Sequence, residues 1–508
     1  MPSSKSRLCV SLLPESDEQL YSWLPLIKNA DMVEVRLDRV PDLNLRRLRK
    51  AVSLPLILTL RHREQGGFFE GAPEKALQVY RAGVAAGADY VDLDVGLARA
   101  FFSEQGKHGR TGIIISAHVP AAGLEALLKS AARLTQWPAD VYKFVYQAET
   151  INDALHLVAI RDLLARTGRP AIVHAMGEAG RPSRFLGALE GNAWTYVCLT
   201  PSSQTAGGQV CLEEVRDGFF LHRKKRPSGL LGLVGYPIGQ SKGWLLHNRL
   251  IEALKAEFSG NGSPYPDYLY LNFPVPEFES FWEKWQHRLH GISVTIPHKE
   301  ALAQVVPLRS REVRISCVAN TAVRTEQGWM CFNTDLLALE SILRERLEKL
   351  QGGVLILGTG ATARSLLVAA KRLGIYPIVL VGRNLQRGEK LARMYGVDFL
   401  TFQDISGVSC SLICNTTPLG MYPDVDRMPP AERLLKPGRL VFDAVYNPET
   451  TRFLALAQER GCETIPGTTL FLRQAALQFE LFTGIRPQPD LVARVWKDIQ
   501  RQNGWAGG

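Results

Sequence analysis

Short apolar runs recur through the first half of the chain, separated by segments with helix-like spacing of apolar positions. Eight such runs predict strands: Leu8–Leu13, Met32–Leu37, Leu56–Leu60, Tyr90–Val95, Gly112–Ala117, Val141–Val145, Ala171–Ala175 and Trp194–Leu199. Strands that alternate with helices favour a parallel sheet. Eight of these units favour an N-terminal (β/α)8 barrel, the TIM-barrel architecture.

A second series of apolar strands begins at Leu230 and continues through the C-terminal half. Between the two series lies His222–Gly229, in which four consecutive basic residues precede a Pro-Ser-Gly turn. The basic run admits two interpretations, a nucleic-acid patch or a linker between domains. We favour a solvated linker over residues 222–229, because it lies where one set of strands is complete and another begins. Residues 1–221 then form the barrel, and residues 230–508 form a second α/β unit.

The composition is that of a soluble globular protein, with 46% hydrophobic and 22% charged residues among 508. The formal charge of +10 suits nucleic acid or anionic small molecules, but no aromatic-interleaved basic patch accompanies it, so small ligands are favoured. The 8 cysteines have neither CxxC nor zinc-type spacing, so we expect no metal and a reducing, cytoplasmic location. Apolar stretches are too short for a signal-peptide core or a membrane span, so we expect no membrane association.

Charged residues interrupt the predicted barrel strands near the ends where barrel enzymes place their chemistry. Glu34, Arg36 and Asp38 alternate on the second strand and therefore share one face. Charges on such a face are costly unless they are paired or bind a ligand, so they form either an ion-pair ladder or ligand contacts. Arg61 and His118 end the third and fifth strands. This end of the barrel is therefore the predicted site.

The sixth predicted strand contains Lys143 within Val-Tyr-Lys-Phe-Val. Aromatic and β-branched neighbours are expected to disfavour the charged ammonium and leave a nucleophilic amine, which can form a Schiff base with a ketone. Taken singly, a strand lysine more often reaches solvent, and a strand histidine more often belongs to the core. The coincidence of a lysine, a histidine and several arginines at one end of the barrel favours a Schiff-base site.

These motifs resemble type I 3-dehydroquinate dehydratase over nearly all of residues 5–215. The resemblance rests on Val-Glu34-Val-Arg36-Leu-Asp38, Thr59-Leu-Arg61 before Gly66-Gly67, Ser116-Ala-His118, Val-Tyr-Lys143-Phe, Ser183-Arg184 and Ala206-Gly-Gly-Gln209. It implies that Lys143 forms an imine with the substrate ketone and that His118 is the general acid and base. It also implies that six residues hold the substrate's hydroxyls and carboxylate: Glu34, Arg36, Arg61, Arg184, Thr205 and Gln209.

A glycine-rich turn in the second unit joins a predicted strand to a predicted helix, with Gly358, Gly360 and Ala363 in a GxGxxA pattern. The glycines allow a tight turn and close approach of backbone amides to a pyrophosphate, and the small third residue permits close helix packing. The next strand ends in Gly-Arg-Asn at Arg383. An NAD site favours an acidic residue there, whereas arginine suits a 2′-phosphate, so the sequence predicts NADP(H).

Residues 230–508 resemble shikimate dehydrogenase. The resemblance rests on the loop at Ser241-Lys, Val294-Thr-Ile-Pro-His-Lys299, Ala319-Asn-Thr321, Asn333-Thr-Asp335, the glycine-rich turn, Asn415–Thr417, Phe442–Tyr446 and Gly467–Ala476. It implies a substrate lobe over 230–340, a Rossmann NADP lobe over 350–466 and C-terminal helices over 467–508 that return to the substrate lobe.

The same resemblance implies roles for individual residues. Lys299 and Asp335 would be the catalytic pair. The substrate would be held by Ser241, Thr295, Asn320, Tyr446 and Gln474. The cofactor would be held by Gly358, Gly360, Ala361, Ala363, Arg383, Asn384, Arg387 and Gly467.

The sequence departs from both families at some motif positions. Three departures concern the dehydratase pattern: Gln65, Ala117 and the loop Thr205–Gln209. Three concern the dehydrogenase pattern: Gly243, Ser293 and Leu336. They bear on substrate positioning more than on reaction type.

Together the resemblances imply consecutive steps of the shikimate pathway: 3-dehydroquinate loses water to give 3-dehydroshikimate, which NADPH reduces to shikimate. Two other classes of protein compete with this interpretation. A non-catalytic metabolite sensor predicts loss of catalytic residues, yet Lys143, His118, Lys299 and Asp335 are all present. A Schiff-base aldolase barrel joined to an unrelated NADP reductase leaves Arg36, Arg184 and Gln209 unexplained.

Overall fold

The computed structural model describes residues 6–103, 109–224, 229–258 and 267–502. The chain divides into two compact units, residues 1–228 and residues 229–508. Each unit has its own sheets and its own core, and each is described separately below.

The first unit alternates strands with helices. Its strands are β1 (Leu8–Leu12), β2 (Met32–Arg36), β3 (Leu56–Thr59), β4 (Tyr90–Asp94), β5 (Gly112–Val119), β6 (Val141–Gln147), β7 (Ala171–Met176) and β8 (Thr195–Val197). Its helices are α1 (Asp17–Trp23), α2 (Leu45–Ala51), α3 (Pro73–Ala86), α4 (Ala98–Ser103), α5 (Leu124–Ala132), α6 (His156–Ala165) and α7 (Pro182–Leu189). All eight predicted strands are confirmed.

These strands form a nearly closed parallel barrel in the order β7-β6-β5-β4-β3-β2-β1-β8. Between β7 and β8, the side chain of Asn192 takes the place of a strand ladder. Its Oδ1 accepts from the Val173 amide at 3.1 Å, and its Nδ2 donates to the Val173 carbonyl at 3.0 Å. Backbone groups that a sheet leaves unpaired must be satisfied when buried, and one amide side chain does this here.

An apolar layer lies toward the N-terminal ends of the barrel strands. It consists of Cys9, Met32, Ile57, Ile114, Val141, Ile172, Trp194 and Tyr196. Because residues two apart in a strand share a face, the next inward position along each strand lies above this layer. Those positions carry the polar residues of the site.

The second unit begins with a mixed sheet in the order β10-β9-β11-β13-β14-β12. Its strands are β9 (Gly229–Gly235), β10 (Tyr268–Pro274), β11 (Leu289–Val294), β12 (Leu308–Arg309), β13 (Thr321–Thr325) and β14 (Gly328–Phe332). The helices of this lobe are α8 (Gly243–Phe258), α9 (Phe278–Trp285), α10 (Lys299–Val305), α11 (Arg311–Ser316) and α12 (Thr334–Arg344).

A second, fully parallel sheet follows in the order β17-β16-β15-β18-β19-β20, the doubly wound arrangement in which a crevice forms where the strand order reverses. Its strands are β15 (Val354–Leu357), β16 (Ile378–Val381), β17 (Asp398–Leu400), β18 (Leu412–Asn415), β19 (Leu440–Asp443) and β20 (Glu463–Ile465). The helices are α13 (Ala361–Arg372), α14 (Leu385–Tyr395), α15 (Arg452–Glu459), α16 (Gly467–Thr483) and α17 (Pro489–Gln502).

The last two helices pack against the first lobe of the second unit. Phe471 and Phe479 of α16 and Trp496 of α17 share a buried cluster with Leu231 of β9 and Leu246 of α8. The chain therefore returns to the sheet from which the second unit started, and this places α16 beside both lobes.

The expected solvated linker needs a correction at its start. Residues Leu221–Arg223 form one turn of 3-10 helix, and Lys224 is fully buried. A run of basic residues looks solvated from composition alone, but the aliphatic stem of a lysine can pack inside a fold. Residues 225–228 of the predicted linker lie outside the described residues, and β9 starts at Gly229.

Candidate active sites

Lys143 projects from β6 into the barrel interior, where it meets two buried carboxylates. Its Nζ donates to Asp92 Oδ2 at 2.7 Å and lies 3.4 Å from Glu34 Oε1. The ring of Tyr196 lies 4.2 Å from the same nitrogen. The lysine is thus the centre of a charged cluster above the apolar layer.

The prediction that apolar neighbours would disfavour the ammonium of Lys143 is wrong in its premise. Tyr142 and Phe144 adjoin Lys143 in sequence, but adjacent residues of a strand point to opposite faces. The spatial neighbours are Asp92 on β4, two strands away in the sheet, and Glu34 on β2, across the barrel. The amine therefore lies between two carboxylates and not in the apolar surroundings that its sequence neighbours suggest.

The two carboxylates are themselves held as anions. Burial raises the pKa of Glu34, but the charges of Lys143 and Arg36 and the hydrogen bond from Ser11 together outweigh it, and the net shift is downward. Glu34 also accepts from Thr59 at 2.8 Å and from Ser11. Burial likewise opposes ionisation of Asp92, yet Lys143 and Arg61 lower its pKa well below the ordinary value. The cluster therefore carries fixed negative charge next to the amine.

Arg61 connects β3, β4 and β5 at the mouth of the barrel. Its guanidinium donates to Ser116 at 3.0 Å and to Asp92 at 3.1 Å, and it lies 3.7 Å from Asp94. Ser116 in turn donates to Asp92 at 2.5 Å. Burial raises the pKa of Asp94, the least enclosed carboxyl of the group. Arg61 was predicted to bind substrate, and here its guanidinium is also engaged within the protein.

Two residues of this interior were missed from the sequence. Asp92 is the closest partner of Lys143, and the alternation of Asp92 and Asp94 on β4 repeats the signal that identified Glu34 and Arg36. His174 on β7 is buried, and within the described structure neither of its ring nitrogens has a hydrogen-bond partner. Burial, followed by the charges of Arg184 and Lys143, lowers its pKa well below the ordinary value.

His118 lies at the end of β5, in register with Val145 and two positions beyond the Ser116–Lys143 pair. Burial is the main cause of a pKa well below the ordinary histidine value, and the charges of Arg61 and Lys143 lower it further. Its Nδ1 has no hydrogen-bond partner among the described residues. A neutral imidazole with a free nitrogen can serve as a general base.

The remaining predicted barrel residues surround the same mouth. Arg36 pairs with Asp38, so the two residues form the ion pair that was one of the open alternatives. The loop after β8 brings Thr205 to Ser11 at 3.0 Å, and the Gln209 side chain accepts from the Thr205 amide at 2.8 Å. Burial lowers the pKa of Arg184 to about 10, and its guanidinium donates to the Gly207 carbonyl at 3.4 Å.

The second unit contains a cleft of about 260 Å³ lined by both of its lobes. Lys299, at the start of α10, donates to Asp335 Oδ2 at 2.5 Å. Asp335 is buried in the first turn of α12, where helix geometry favours a carboxylate. The predicted pair is therefore brought together, with both side chains lining the cleft.

All five residues predicted to hold substrate in this unit line the same cleft: Ser241, Thr295, Asn320, Tyr446 and Gln474. Asn320 is fixed because its Oδ1 accepts from the Thr334 amide at 2.8 Å, and its Nδ2 lies 3.5 Å from Gln474. Ser293, a departure from the family pattern, donates to Gln478 at 2.8 Å and also lines the cleft. Gly243 begins α8, and a Cβ there would meet only Ser241, at 3.7 Å.

The glycine-rich turn after β15 has the geometry of a phosphate-binding turn. Gly358 has φ +123, and a Cβ there would lie 2.5 Å from Thr416 Oγ1, so no other residue fits. A Cβ on Gly360 would meet nothing within 4 Å, which leaves open space beside the first amides of α13. No side chain caps this helix start among the described residues. Backbone amides at such a helix start bind anionic phosphate.

The predicted cofactor residues differ in their surroundings. Ala363 is buried against the sheet, Ala361 opens α13, and Gly467 lies so close to the Val445 carbonyl, 2.2 Å from an added Cβ, that only glycine fits. Arg383 is exposed and follows Gly382 at the end of β16. It lies next to the glycine-rich turn because the Gly358 amide donates to the Val381 carbonyl at 2.8 Å.

Two other predicted cofactor residues have structural contacts of their own. Asn384 caps α14, where its Oδ1 accepts from the Arg387 amide at 2.9 Å. Arg387 lies 3.2 Å from Glu300, which Arg364 contacts at 2.6 Å. Contacts of Asn384 and Arg387 with a cofactor therefore stay predictions.

No group of three or more His, Cys, Asp or Glu side chains with the geometry of a metal site occurs in the described parts of the chain. Within those same parts, no helix has both the length and the apolar character needed to cross a bilayer.

Two family models match the chain. The type I 3-dehydroquinase model matches residues 8–226, and the shikimate dehydrogenase substrate binding domain matches residues 233–322. A chloroplastic bifunctional 3-dehydroquinate dehydratase/shikimate dehydrogenase from Arabidopsis thaliana is 30% identical over 488 residues, which cover 91% of this chain and 78% of that protein. A shikimate dehydrogenase (NADP(+)) from Microcystis aeruginosa is 34% identical over 282 residues, 52% of this chain and 94% of that protein.

A solved dehydroquinate dehydratase and shikimate dehydrogenase from S. pombe aligns over 97% of this chain and 98% of its own, at 23% identity and a TM-score of 0.42. The barrel with its buried lysine and the two-lobed unit with its glycine-rich turn define a chain that carries two α/β enzyme units. The chain belongs to the bifunctional 3-dehydroquinate dehydratase/shikimate dehydrogenase family.

Proposed function

We propose that the first unit dehydrates 3-dehydroquinate to 3-dehydroshikimate and that the second reduces this product to shikimate. The observation that carries the proposal is the cluster around Lys143, a barrel amine 2.7 Å from a buried carboxylate, near a neutral histidine. In the second unit, Lys299 and Asp335 form an ion pair in a cleft. Thr362 of α13, the helix that follows the glycine-rich turn, lines the same cleft.

In the barrel, Lys143 attacks the ketone carbon of the substrate and forms an imine with loss of water. The protonated imine keeps the positive charge that Glu34 and Asp92 already balance, so the cluster stabilises the intermediate without rearrangement. His118, neutral because burial lowers its pKa, removes the proton beside the imine carbon. The resulting histidine cation then donates a proton to the departing hydroxyl, and water releases the product from Lys143.

In the barrel, arginine is the residue that would bind the substrate's carboxylate. Arg184 is buried at the mouth, and its Nε has no partner among the described residues, so the guanidinium can still receive a carboxylate. Thr205 and Gln209 belong to the loop above the cluster and would contact substrate hydroxyls. Glu34, Arg36 and Arg61 would set the orientation of the ring.

In the second unit, the residues around the turn after β15 fit NADP(H). Gly358 and Gly360 leave space at the start of α13 for a pyrophosphate, and the exposed guanidinium of Arg383 suits a 2′-phosphate. When bound, NADPH supplies a hydride to the substrate ketone. Lys299 and Asp335 supply the proton that the carbinol oxygen gains, while Ser241, Thr295, Asn320, Tyr446 and Gln474 hold the substrate.

We infer that the protein binds small-molecule ligands only and works in a reducing compartment. All eight cysteines are free thiols, which suits the cytoplasm better than an oxidising environment.

The decisive experiment gives the purified protein 3-dehydroquinate and NADPH and follows NADPH oxidation together with shikimate formation. We expect shikimate to accumulate with one NADPH consumed per molecule. Absence of shikimate would contradict the proposal. Omission of NADPH should stop the sequence at 3-dehydroshikimate, which distinguishes the two units.

A second experiment adds borohydride with 3-dehydroquinate. Reduction of the imine should leave a stable mass adduct on the peptide that contains Lys143. The matched control is the same treatment of the K143R variant, which cannot form the adduct. An adduct on another lysine would contradict the assignment.

A further inference from the structure

Cys198 and Cys211 lie side by side at the base of the loop that closes over the barrel. Their sulfur atoms are 3.3 Å apart, and the two residues face each other in an isolated parallel β-bridge. The Cys198 amide donates to the Val210 carbonyl at 3.0 Å, and the Leu212 amide donates to the Cys198 carbonyl at 2.9 Å. The backbone therefore fixes the pair in contact.

This placement meets the geometric requirement for a disulfide. Neighbouring β-strands lie about 4.8 Å apart, within the range of roughly 4.4–6.8 Å between Cα atoms that disulfides span. The sulfurs would have to approach by roughly 1.2 Å to reach bonding distance, which side-chain rotation can supply. No backbone shift is required.

The two thiols are not equivalent. Cys198 is fully buried, whereas Cys211 is partly exposed. Burial, together with the hydrogen bond between the two thiols, raises the pKa of Cys198 to about 12. Burial also raises the pKa of Cys211, but its hydrogen bond with Cys198 opposes that rise. Cys211 is therefore the thiol that an oxidant reaches and the one that ionises first.

We propose that Cys198 and Cys211 are a dithiol site that a low-molecular-weight organic disulfide converts reversibly to an internal disulfide. The Cys211 thiolate attacks one sulfur of the organic disulfide, forms a mixed disulfide and releases one thiol. Cys198 then loses its proton and attacks the Cys211 sulfur, which forms the internal bond and releases the second thiol. The protein gives up two electrons and two protons, and the organic disulfide becomes two thiols.

The new bond would tie together the two ends of the loop that carries Thr205 and Gln209. This loop contacts β1 through Thr205 and Ser11 and contacts Arg184 through the Gly207 carbonyl. Thr205 and Gln209 of this loop are among the residues proposed to bind substrate, so a covalent tie at its base would restrict any loop motion that accompanies binding. This consequence for catalysis rests on the proposed dehydratase function, whereas the bond itself does not.

The test incubates the full-length protein with oxidised glutathione at about pH 8.5, where thiolates are more abundant. Peptide mass spectrometry without reduction then reports each cysteine. In the wild type we expect a peptide pair linked through Cys198 and Cys211. Cys317, which is exposed, provides the internal control and should carry a stable glutathione adduct.

Two variants separate the steps of the exchange. In C198S, Cys211 should retain glutathione, because the resolving thiol is gone. In C211S, buried Cys198 should remain a free thiol while Cys317 still reacts. A wild type that accumulates a glutathione adduct on Cys211, or in which both thiols survive while Cys317 is modified, would overturn the proposal.

Activity provides the second readout, in a C317S background so that only the pair responds. We expect oxidation to lower dehydratase kcat by about threefold or more and dithiothreitol to restore it, with dehydrogenase activity unchanged. A linked pair with unchanged dehydratase kcat would overturn the loop restraint. A reduced protein without dehydratase activity would contradict the proposed function and leave the mass result to decide on the disulfide.

Discussion

Lys143 and Lys299 each lie against a carboxylate, at 2.7 Å and 2.5 Å, yet the two lysines are placed for different chemistry. Lys143 is enclosed in the barrel by Glu34 and Asp92 together, and Tyr196 covers it. Lys299 has one carboxylate partner, Asp335, and opens onto a cleft shared with the start of α13. The first lysine suits a bond to carbon, and the second suits the transfer of a proton.

A carboxylate partner alone therefore does not determine what a lysine does. The number of anions around the amine and its access to a cleft distinguish Lys143 from Lys299. Two fixed anions beside Lys143 balance the positive charge of the protonated imine each time it forms. Lys299 and its single carboxylate partner can donate a proton to the substrate. The pair is ready for another cycle once it takes up a new proton. Variants can test each half of this contrast while the other unit serves as the control.

The largest effect is expected from K143R, which keeps the charge beside Glu34 and Asp92 but removes the nucleophilic amine. Dehydratase kcat should fall by about 10⁴-fold or more, because a covalent route is lost. The measurement is the formation of 3-dehydroshikimate. Reduction of added 3-dehydroshikimate by NADPH should be unchanged. Substantial dehydratase activity in K143R would show that charge, not the amine, is what the barrel requires.

A smaller loss is expected from D335N, which leaves Lys299 without its carboxylate. Dehydrogenase kcat should fall by about 10²–10⁴-fold, the usual contribution of a positioned acid–base group. NADPH oxidation with 3-dehydroshikimate measures it, and the dehydratase rate is the control. If kcat is unchanged and only KM rises, the pair binds substrate and does not move its proton.

A buried imidazole in the second unit, that of His247, makes the stability of the fold depend on pH. His247 stacks on Tyr270 with ring centroids 4.5 Å apart, and burial lowers its pKa to about 4. The unfolded chain takes up a proton near pH 6.5, before the folded state does, so stability is lost as pH falls from about 6.5 to 4. We expect this group to account for roughly 3 kcal/mol over that range. Denaturant unfolding of H247F at several pH values should show a shallower acid loss.

The matched control for that measurement is H287Q, since His287 is exposed on the same unit. Its pH dependence of stability should equal that of the wild type. Equal acid losses in H247F and in the wild type would show that other groups cause the loss.

The smallest effect is expected from R383Q, which affects cofactor choice in the second unit. Removal of a charged partner of the 2′-phosphate should raise KM for NADPH about tenfold and leave kcat with saturating NADPH unchanged. Initial rates with NADPH and NADH measure the change. R393Q, on the exposed side of α14, is the control. A proportional rise in KM for NADH would contradict a contact with the 2′-phosphate.

Much of the fold could be predicted because parallel strands buried on both faces give short, evenly spaced apolar runs. The partners of Lys143 could not be predicted from its neighbours in sequence. Asp92 lies 51 positions away, and the pairing of β4 and β6 with β5 in one curved sheet brings it to the amine. The glycine-rich turn was predictable because its requirements are local: positive φ and close contact at Gly358 follow from a strand that turns directly into a helix.

Other features depend on the assembled fold. The sequence does not indicate that Lys224 is buried, because this lysine lies within a run of basic residues. The contact of Cys198 with Cys211 depends on how the loop between them folds back. The roles assigned to individual site residues remain predictions until the variants above are measured.

The burial of Lys224 has a practical consequence for dissection of the chain. A barrel expressed alone and cut after Leu221 would lack a side chain that is packed into the fold. Truncation there removes a fully buried side chain together with its contacts, and loss of buried side chains destabilises a fold. A fragment that ends at residue 228, the last residue of the compact unit, keeps that side chain in place. The natural cutting point therefore lies after the basic run, not before it.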